Sequence, residues 1–81
     1  MRVYVENFAE AMEAKLQTKD EERGEAGWMD KSCTVRQLKD AMVVEMRELH
    51  DAFDNCNSDE LAAECVDVAN FAMMIHSKLK A

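Results

Sequence analysis

The chain has no proline, and its only two glycines, Gly24 and Gly27, lie within four residues of each other. Proline and glycine are the residues that most often interrupt a helix, so everything outside this one stretch can run as helix. The chain is 48% hydrophobic, which is too apolar for a disordered segment. The sequence therefore predicts an all-α fold with a single domain spanning residues 1–81.

The spacing of apolar residues predicts three helices. The expected elements are a first helix over about 3–19, a polar loop over 20–27, a second helix over about 34–55 and a third over about 57–78. Thr34 followed three residues later by Gln37 is a capping-box pattern, so the second helix should begin at Thr34. Asn57 or Ser58 is the expected cap of the third helix.

Each helix has an apolar seam. The seam residues are Val5, Phe8, Met12 and Leu16 in the first helix, Val35, Leu38, Met42, Leu49 and Phe53 in the second, and Leu61, Cys65, Val68, Ala72, Ile75 and Leu79 in the third. Cys65 is expected to be a small core residue. The third helix also carries apolar residues away from its seam, such as Val66 and Met73, so it needs more than one packing partner. We therefore expect a homodimer or homotetramer in which the second and third helices of each subunit complete a four-helix-type bundle.

Charge and cysteine usage exclude several classes of function. Ten basic and seventeen acidic residues give a net charge of −7, which argues against binding to a nucleic-acid polymer. No stretch is apolar and long enough for a signal peptide or a membrane span, so neither membrane contact nor secretion is expected. Three cysteines without the close pairs of a zinc site fit a reducing compartment, and the expected location is cytoplasmic.

Two carboxylate pairs fall where a solvated helix face is not expected. Glu45 lies within the apolar seam of the second helix, and Glu48, three residues on, lies at its edge. Glu64 lies on the apolar arc of the third helix, and Asp67 lies at the edge of that arc. Residues three apart are neighbours on a helix surface, so antiparallel packing of the two helices can bring the pairs together.

Four facing carboxylates indicate a site for a cation. They would repel one another and raise one another's pKa values, and an unpaired buried carboxylate is costly. A bound divalent cation relieves both problems, and surroundings of carboxylate oxygens suit Mg²⁺ or Mn²⁺. The alternative is that the seam glutamates reach out to water. The sequence lacks the Glu-x-x-His motifs of di-iron bundles and the signature of an EF-hand calcium loop.

The two motifs resemble those of a known enzyme family. Residues 45–49 (EMREL) and 64–71 (ECVDVANF) resemble the paired motifs of the MazG-like, all-α nucleoside triphosphate pyrophosphohydrolases. The resemblance covers about residues 8–79, and the stretches 8–16 and 27–28 are similar to those of short members borne by phages and mobile elements. Many members have an additional glutamate just before the first motif glutamate, where this chain has Val44.

The resemblance implies an activity and a ligand set. The activity is the Mg²⁺-dependent hydrolysis of a nucleoside triphosphate to the monophosphate and pyrophosphate, in a nucleotide house-cleaning role. The implied metal ligands are Glu45, Glu48, Glu64 and Asp67. Either Glu45 or Glu48 would also act as the general base.

Three further residues are candidates for substrate binding. Trp28 can stack on a base, or it can anchor the loop in the core. Asn70 can form a hydrogen bond to a sugar or phosphate, or it is an exposed polar residue. Lys15 is a candidate phosphate contact, although a lone lysine is usually only solvated.

Two other functions compete with the enzyme hypothesis. In the first, the chain is a non-catalytic helical oligomerisation or adaptor module, whose acidic residues are exposed or pair with basic residues of a partner. In the second, it is a carboxylate-bridged metal-storage protein.

Overall fold

The computed structural model of the chain is all-helical, which confirms the expected fold class. It describes residues 1–23, 27–55 and 57–81, apart from the Arg23 side chain, and contains no strand within those ranges. Helices α1, α2 and α3 and the 3₁₀ helix that precedes α2 have the following bounds: α1 Val3–Arg23, the 3₁₀ helix Gly27–Met29, α2 Val35–Asp54 and α3 Ser58–Lys80. Over the described ranges, no helix contains a long enough apolar stretch to cross a lipid bilayer.

Helix α1 continues four residues beyond its expected end. The prediction that a loop begins at Asp20 was wrong, because Asp20 to Arg23 are helical. Polarity alone does not end a helix, and no breaker occurs before Gly24. The ammonium of Lys19 lies 4.0 Å from the carboxylate of Glu22. The two residues are three apart, and opposite charges at this separation stabilise a helix. Residues 24–26 of the expected loop and Cys56 of the expected turn lie outside the described residues.

Local capping fixes where α2 and α3 begin. The Thr34 hydroxyl accepts a hydrogen bond from the Gln37 backbone N–H at 3.1 Å, and the Thr34 N–H donates to the Gln37 side chain at 2.9 Å. This capping box is the one that the sequence predicts. Of the two expected caps of α3, Asn57 is the cap, and its side chain accepts from the Glu60 N–H at 3.1 Å. The three residues between the helices make α2 and α3 an antiparallel hairpin.

Helix α3 is the centre of the fold, because it packs against both α2 and α1. The Asn70 amide donates a hydrogen bond to the Met12 carbonyl of α1 at 3.4 Å. Near the other end of α3, the Lys78 ammonium donates to the Asp30 carbonyl at 3.0 Å and holds the segment before α2. Side chains of α3 thus contact both α1 and the segment that precedes α2.

The expected seam of α3 is not the face that packs inside the chain. The apolar residues that are buried among the described ones are Leu38, Ala52, Val66 and Met74. None of the six seam residues is buried, and the prediction that Cys65 belongs to the core was wrong, because it is exposed. Helix α3 turns Val66, Asn70 and Met74 towards its neighbours, and Cys65 lies about 100° around the helix from Val66.

The single chain leaves much apolar surface uncovered. Of the expected α1 stripe, Met12 and Leu16 are half-buried, whereas Val5 and Phe8 are exposed. Leu79, a member of the α3 seam, is 69% exposed. The chain exposes 6238 Å², whereas a compact monomer of 9.2 kDa is expected to expose about 4,900 Å².

Candidate metal centre

Helix α2 places Glu45 on its buried face. Leu38, Glu45 and Ala52 are spaced by seven residues, so they share one side of the helix. Leu38 and Ala52 are buried, and Glu45 between them is half-buried. The Oε2 atom of Glu45 is enclosed and has no hydrogen-bond partner among the described residues. Glu45 is therefore not part of a solvated face.

Three of the four predicted ligands converge. Glu45, Glu48 and Glu64 each offer a carboxylate oxygen, and these atoms all lie within 4.8 Å of one another. Glu48 is exposed, and Glu64 is half-buried with its own Oε2 enclosed and without a described partner. The hairpin thus brings the motifs of α2 and α3 together, and we name these three residues the carboxylate cluster.

Among the described residues, no basic side chain forms an ion pair with the carboxylate cluster. Burial raises the pKa of Glu45 from its ordinary 4.5 to about 7, with further contributions from a hydrogen bond to Glu48 and from the charges of Glu48, Asp67 and Glu64. The pKa of Glu64 is also raised, most by burial and next by the charges of Glu48 and Asp67. A hydrogen bond with Glu45 and the charge of Lys15 only partly oppose that rise in the pKa of Glu64. At neutral pH a proton on Glu45 therefore relieves part of the repulsion.

Asp67, the fourth predicted ligand, lies beside the cluster and forms an ion pair with a lysine. Its Oδ1 atom lies 3.3 Å from the ammonium of Lys15, which reaches it from α1. Asp67 is close enough to raise the pKa values of both Glu45 and Glu64. The sequence suggested Lys15 as a phosphate contact, and in the structure its ammonium lies at a carboxylate.

A cavity of about 470 Å³ adjoins these carboxylates, and both Glu45 and Asp67 line it. Its apolar wall includes Trp28, Phe71 and Met74. A volume of this size, with mostly apolar walls and a few polar groups, is typical of small-molecule sites.

Asn70 lies in the wall of the cavity and is only 5% exposed, so of its two alternatives the one of an exposed polar residue was wrong. Its amide nitrogen is engaged by the Met12 carbonyl, whereas its Oδ1 is enclosed and lacks a described partner. An unsatisfied buried acceptor is costly, so this oxygen favours a ligand that donates an N–H or O–H group. A sugar hydroxyl meets that requirement better than a phosphate oxygen does.

Trp28 is half-buried and lines the same cavity. Its indole ring is therefore available both as an anchor for the segment before α2 and as a wall for a ligand. Stacking of Trp28 on a base stays a prediction.

A second acidic group provides a contrast. His50, Asp51 and Asp54 also offer ligand atoms within 4.8 Å of one another, but all three residues are exposed. Exposed acidic groups of this kind are solvated, and none of their oxygens is enclosed in the way that those of Glu45 and Glu64 are.

The carboxylate cluster fits a hard divalent cation. Every donor in it is a carboxylate oxygen, which is the ligand type that Mg²⁺ and Mn²⁺ prefer. Two enclosed oxygens without partners and the raised pKa of Glu45 all indicate a missing positive charge. Glu45, Glu48 and Glu64 offer the converging oxygens for the ion, and Asp67, the fourth predicted ligand, lies beside them.

Sequence reasoning missed the cavity, although one signal could have revealed it. Asn70, Phe71 and Met74 follow Asp67 by three, four and seven residues, so the four residues share one face of α3. That face joins a carboxylate, an amide and two large apolar side chains, which together describe the polar and apolar parts of a ligand site.

Comparisons with protein-family models, with curated proteins and with solved structures found no match. A functional proposal therefore depends on the geometry of the carboxylate cluster and the cavity, together with the motif resemblance.

The raised pKa of Glu45 makes stability depend on pH. The folded chain holds this proton more tightly than the unfolded chain does, so without divalent metal the stability is expected to fall as pH rises from 4.5 to about 7. Burial of Glu45 contributes most to this window, and the groups that face Glu45 and widen it are Glu48, Asp67 and Glu64. In EDTA at pH 8, Glu45→Gln is expected to be more stable than the parent by about 1–2 kcal/mol.

Thermal melts at pH 5 and pH 8 measure this effect. The gain from Glu45→Gln should nearly vanish at pH 5, where Glu45 is protonated in the parent. Glu10→Gln, at an exposed position of α1, is the matched control and should change little at either pH. A gain for Glu45→Gln that is equal at both pH values would contradict the proposed charge repulsion.

Proposed function

We propose that the chain is a Mg²⁺-dependent nucleoside triphosphate pyrophosphohydrolase, which releases a nucleoside monophosphate and pyrophosphate. The observation that carries this proposal is that Glu45 belongs to the carboxylate cluster and also lines the cavity. A ligand in the cavity would contact apolar side chains at one end and the carboxylate cluster, which favours a cation, at the other. A nucleoside triphosphate has that chemistry, and the motif resemblance points to the same substrate class.

The cavity suits the nucleoside part of such a substrate. Trp28 and Phe71 offer aromatic faces, which accept any base by stacking. The unpartnered Oδ1 of Asn70 offers an acceptor for a sugar hydroxyl or a base N–H. Cytoplasmic nucleotide house-cleaning is the role that this chemistry supports.

The chain's own carboxylates would carry the reaction. Glu45, Glu48, Glu64 and Asp67 would hold Mg²⁺, which when bound neutralises phosphate oxygens and lowers the pKa of a water molecule. Glu45 or Glu48 would accept a proton from the attacking water. The water oxygen forms a bond to the α-phosphorus, the bond from that phosphorus to the α–β bridging oxygen breaks, and pyrophosphate leaves with the electron pair.

We also propose that a second copy of the chain covers the exposed apolar surface. The exposed area exceeds that expected of a compact monomer by about 1,300 Å². A standard interface buries about 800 Å² on each partner, so a homodimer accounts for most of the excess. The α3 seam that is left uncovered by α1 and α2, with Cys65 and Leu79 exposed, supports a four-helix-type bundle between subunits.

Sedimentation equilibrium tests the assembly. The parent is expected to show a mass that is two or four times 9.2 kDa. Cys65→Lys, in the exposed seam, should lower that mass, because a buried ammonium opposes association. Ala62→Lys, exposed on α3 but outside the seam, is the matched control and should not. A parent that sediments as a 9.2 kDa monomer at 100 μM would contradict the assembly.

Pyrophosphate release from a panel of canonical and modified nucleoside triphosphates tests the activity. Turnover of at least one of them is expected, and it should require Mg²⁺. Glu48→Gln and Asp67→Asn should each lower the activity by more than roughly 100-fold. Even mutation of a residue that only supports a metal ligand typically lowers metal affinity or activity by about 10- to 100-fold.

The control for these variants comes from the second acidic group. Asp51→Asn and Asp54→Asn remove the same kind of charge from exposed positions of α2 and should keep the parent activity. Circular dichroism should show the parent helix content in all four variants. No turnover of any triphosphate with Mg²⁺ would contradict the proposed function.

A further inference from the structure

Lys15 is the basic side chain that reaches the candidate metal centre from α1. Its Nζ atom lies 3.3 Å from Oδ1 of Asp67, and the two side chains are 36% and 19% exposed. Over the described ranges, the other two lysine ion pairs each lie within a single helix. The pair of Lys15 and Asp67 is therefore the one described lysine ion pair that joins two helices, and it does so at a predicted metal ligand.

Lys15 is also part of the cavity wall. It lines the cavity together with Glu45 and Asp67. Its charge acts on Glu64 as well, where it opposes the rise in pKa that burial causes. The Lys15 ammonium thus lies close to the acidic residues and also at the wall of the cavity in which a ligand would bind.

We propose that Lys15 is an exchangeable counter-ion, which neutralises Asp67 in the metal-free protein and moves to a phosphate of the substrate when a divalent cation binds Asp67. This inference rests on the proposed function, because it needs both a cation site and a polyphosphate ligand. An ammonium next to Asp67 repels an incoming dication, so the two compete for this carboxylate. Lysine suits such an exchange, because its charge is compact and its stem is long and flexible.

The exchange gives Lys15 opposite effects on two binding steps. In the first step, the cation must break the ion pair with Asp67. Partly exposed pairs of this kind are weak, so Lys15 should reduce metal affinity only by roughly two- to fivefold. In the second step, the released ammonium adds a charge-assisted hydrogen bond to phosphate, which should tighten anion binding by roughly tenfold. An ion pair that only holds α1 against α3 would have neither effect.

The first arm of the test measures the binding of Mn²⁺ alone to the metal-free full chain, from the electron paramagnetic resonance signal of free Mn²⁺. Lys15→Met is expected to bind Mn²⁺ roughly two- to fivefold more tightly than the parent. Lys19→Met is the matched control, because Lys19 lies one turn further along α1 and also lines the cavity but pairs with Glu22. It should leave the Mn²⁺ affinity unchanged. In an Asp67→Asn background, Lys15→Met should bring no gain.

The second arm measures the binding of inorganic tripolyphosphate in saturating Mg²⁺ by calorimetry. Lys15→Met is expected to bind tripolyphosphate roughly tenfold more weakly than the parent, whereas Lys15→Arg should retain most of the affinity. Lys19→Met should change it by less than about twofold. Circular dichroism of each variant should match the parent, since Lys15 is partly exposed.

Each outcome decides a different claim. Equal Mn²⁺ affinities of Lys15→Met and the parent, or a gain that persists with Asp67→Asn, overturn the competition for Asp67. Unchanged tripolyphosphate binding by Lys15→Met overturns the transfer to phosphate. A parent chain that binds no Mn²⁺ contradicts the proposed function as well, whereas Mn²⁺ binding that does not depend on Lys15 contradicts this inference alone.

Discussion

Repulsion between carboxylates held at the α2–α3 interface is the constraint on which the rest of this molecule depends. Carboxylate oxygens of Glu45, Glu48 and Glu64 lie within 4.8 Å of one another, although burial penalises the charged forms of Glu45 and Glu64. Two local effects oppose this repulsion without a metal: the raised pKa of Glu45 favours its neutral form, and the ammonium of Lys15 pairs with Asp67. A divalent cation bound by the carboxylates would replace both the proton on Glu45 and the Lys15 ammonium as the source of positive charge. The mutual repulsion of the carboxylates thus opposes folding of the metal-free chain.

The central position of α3 connects this constraint to a ligand site. One side of α3 presents Glu64 to α2, and a neighbouring side presents Asp67 and Asn70 to α1. The same helix therefore closes the carboxylate cluster and forms a wall of the cavity. The cavity and the cluster meet at Glu45, so a ligand bound in one is necessarily close to the other. This adjacency, rather than acidity alone, supports triphosphate chemistry over an adaptor role.

Features that depend on local sequence were predictable. The absence of breakers predicted an all-helical chain, and the caps at Thr34 and Asn57 depend only on residues within one turn. The position of Glu45 within the apolar seam of α2 was predicted from its spacing from Leu38, Met42 and Leu49. Features that depend on tertiary packing were not predictable. Because α3 is apolar around most of its girth, its periodicity could not decide which face α1 and α2 would cover.

The exposed position of Cys65 and the pairing of Lys15 with Asp67 have the same cause. Both follow from how α1 docks on α3, across more than fifty residues of chain.

Whether the carboxylate cluster binds a divalent cation is tested by the anomalous difference density of a crystal soaked in Mn²⁺. A peak bounded by Glu45, Glu48 and Glu64 is expected. The absence of a peak there, or a peak only at the exposed group of His50, Asp51 and Asp54, would contradict cation binding by the carboxylate cluster.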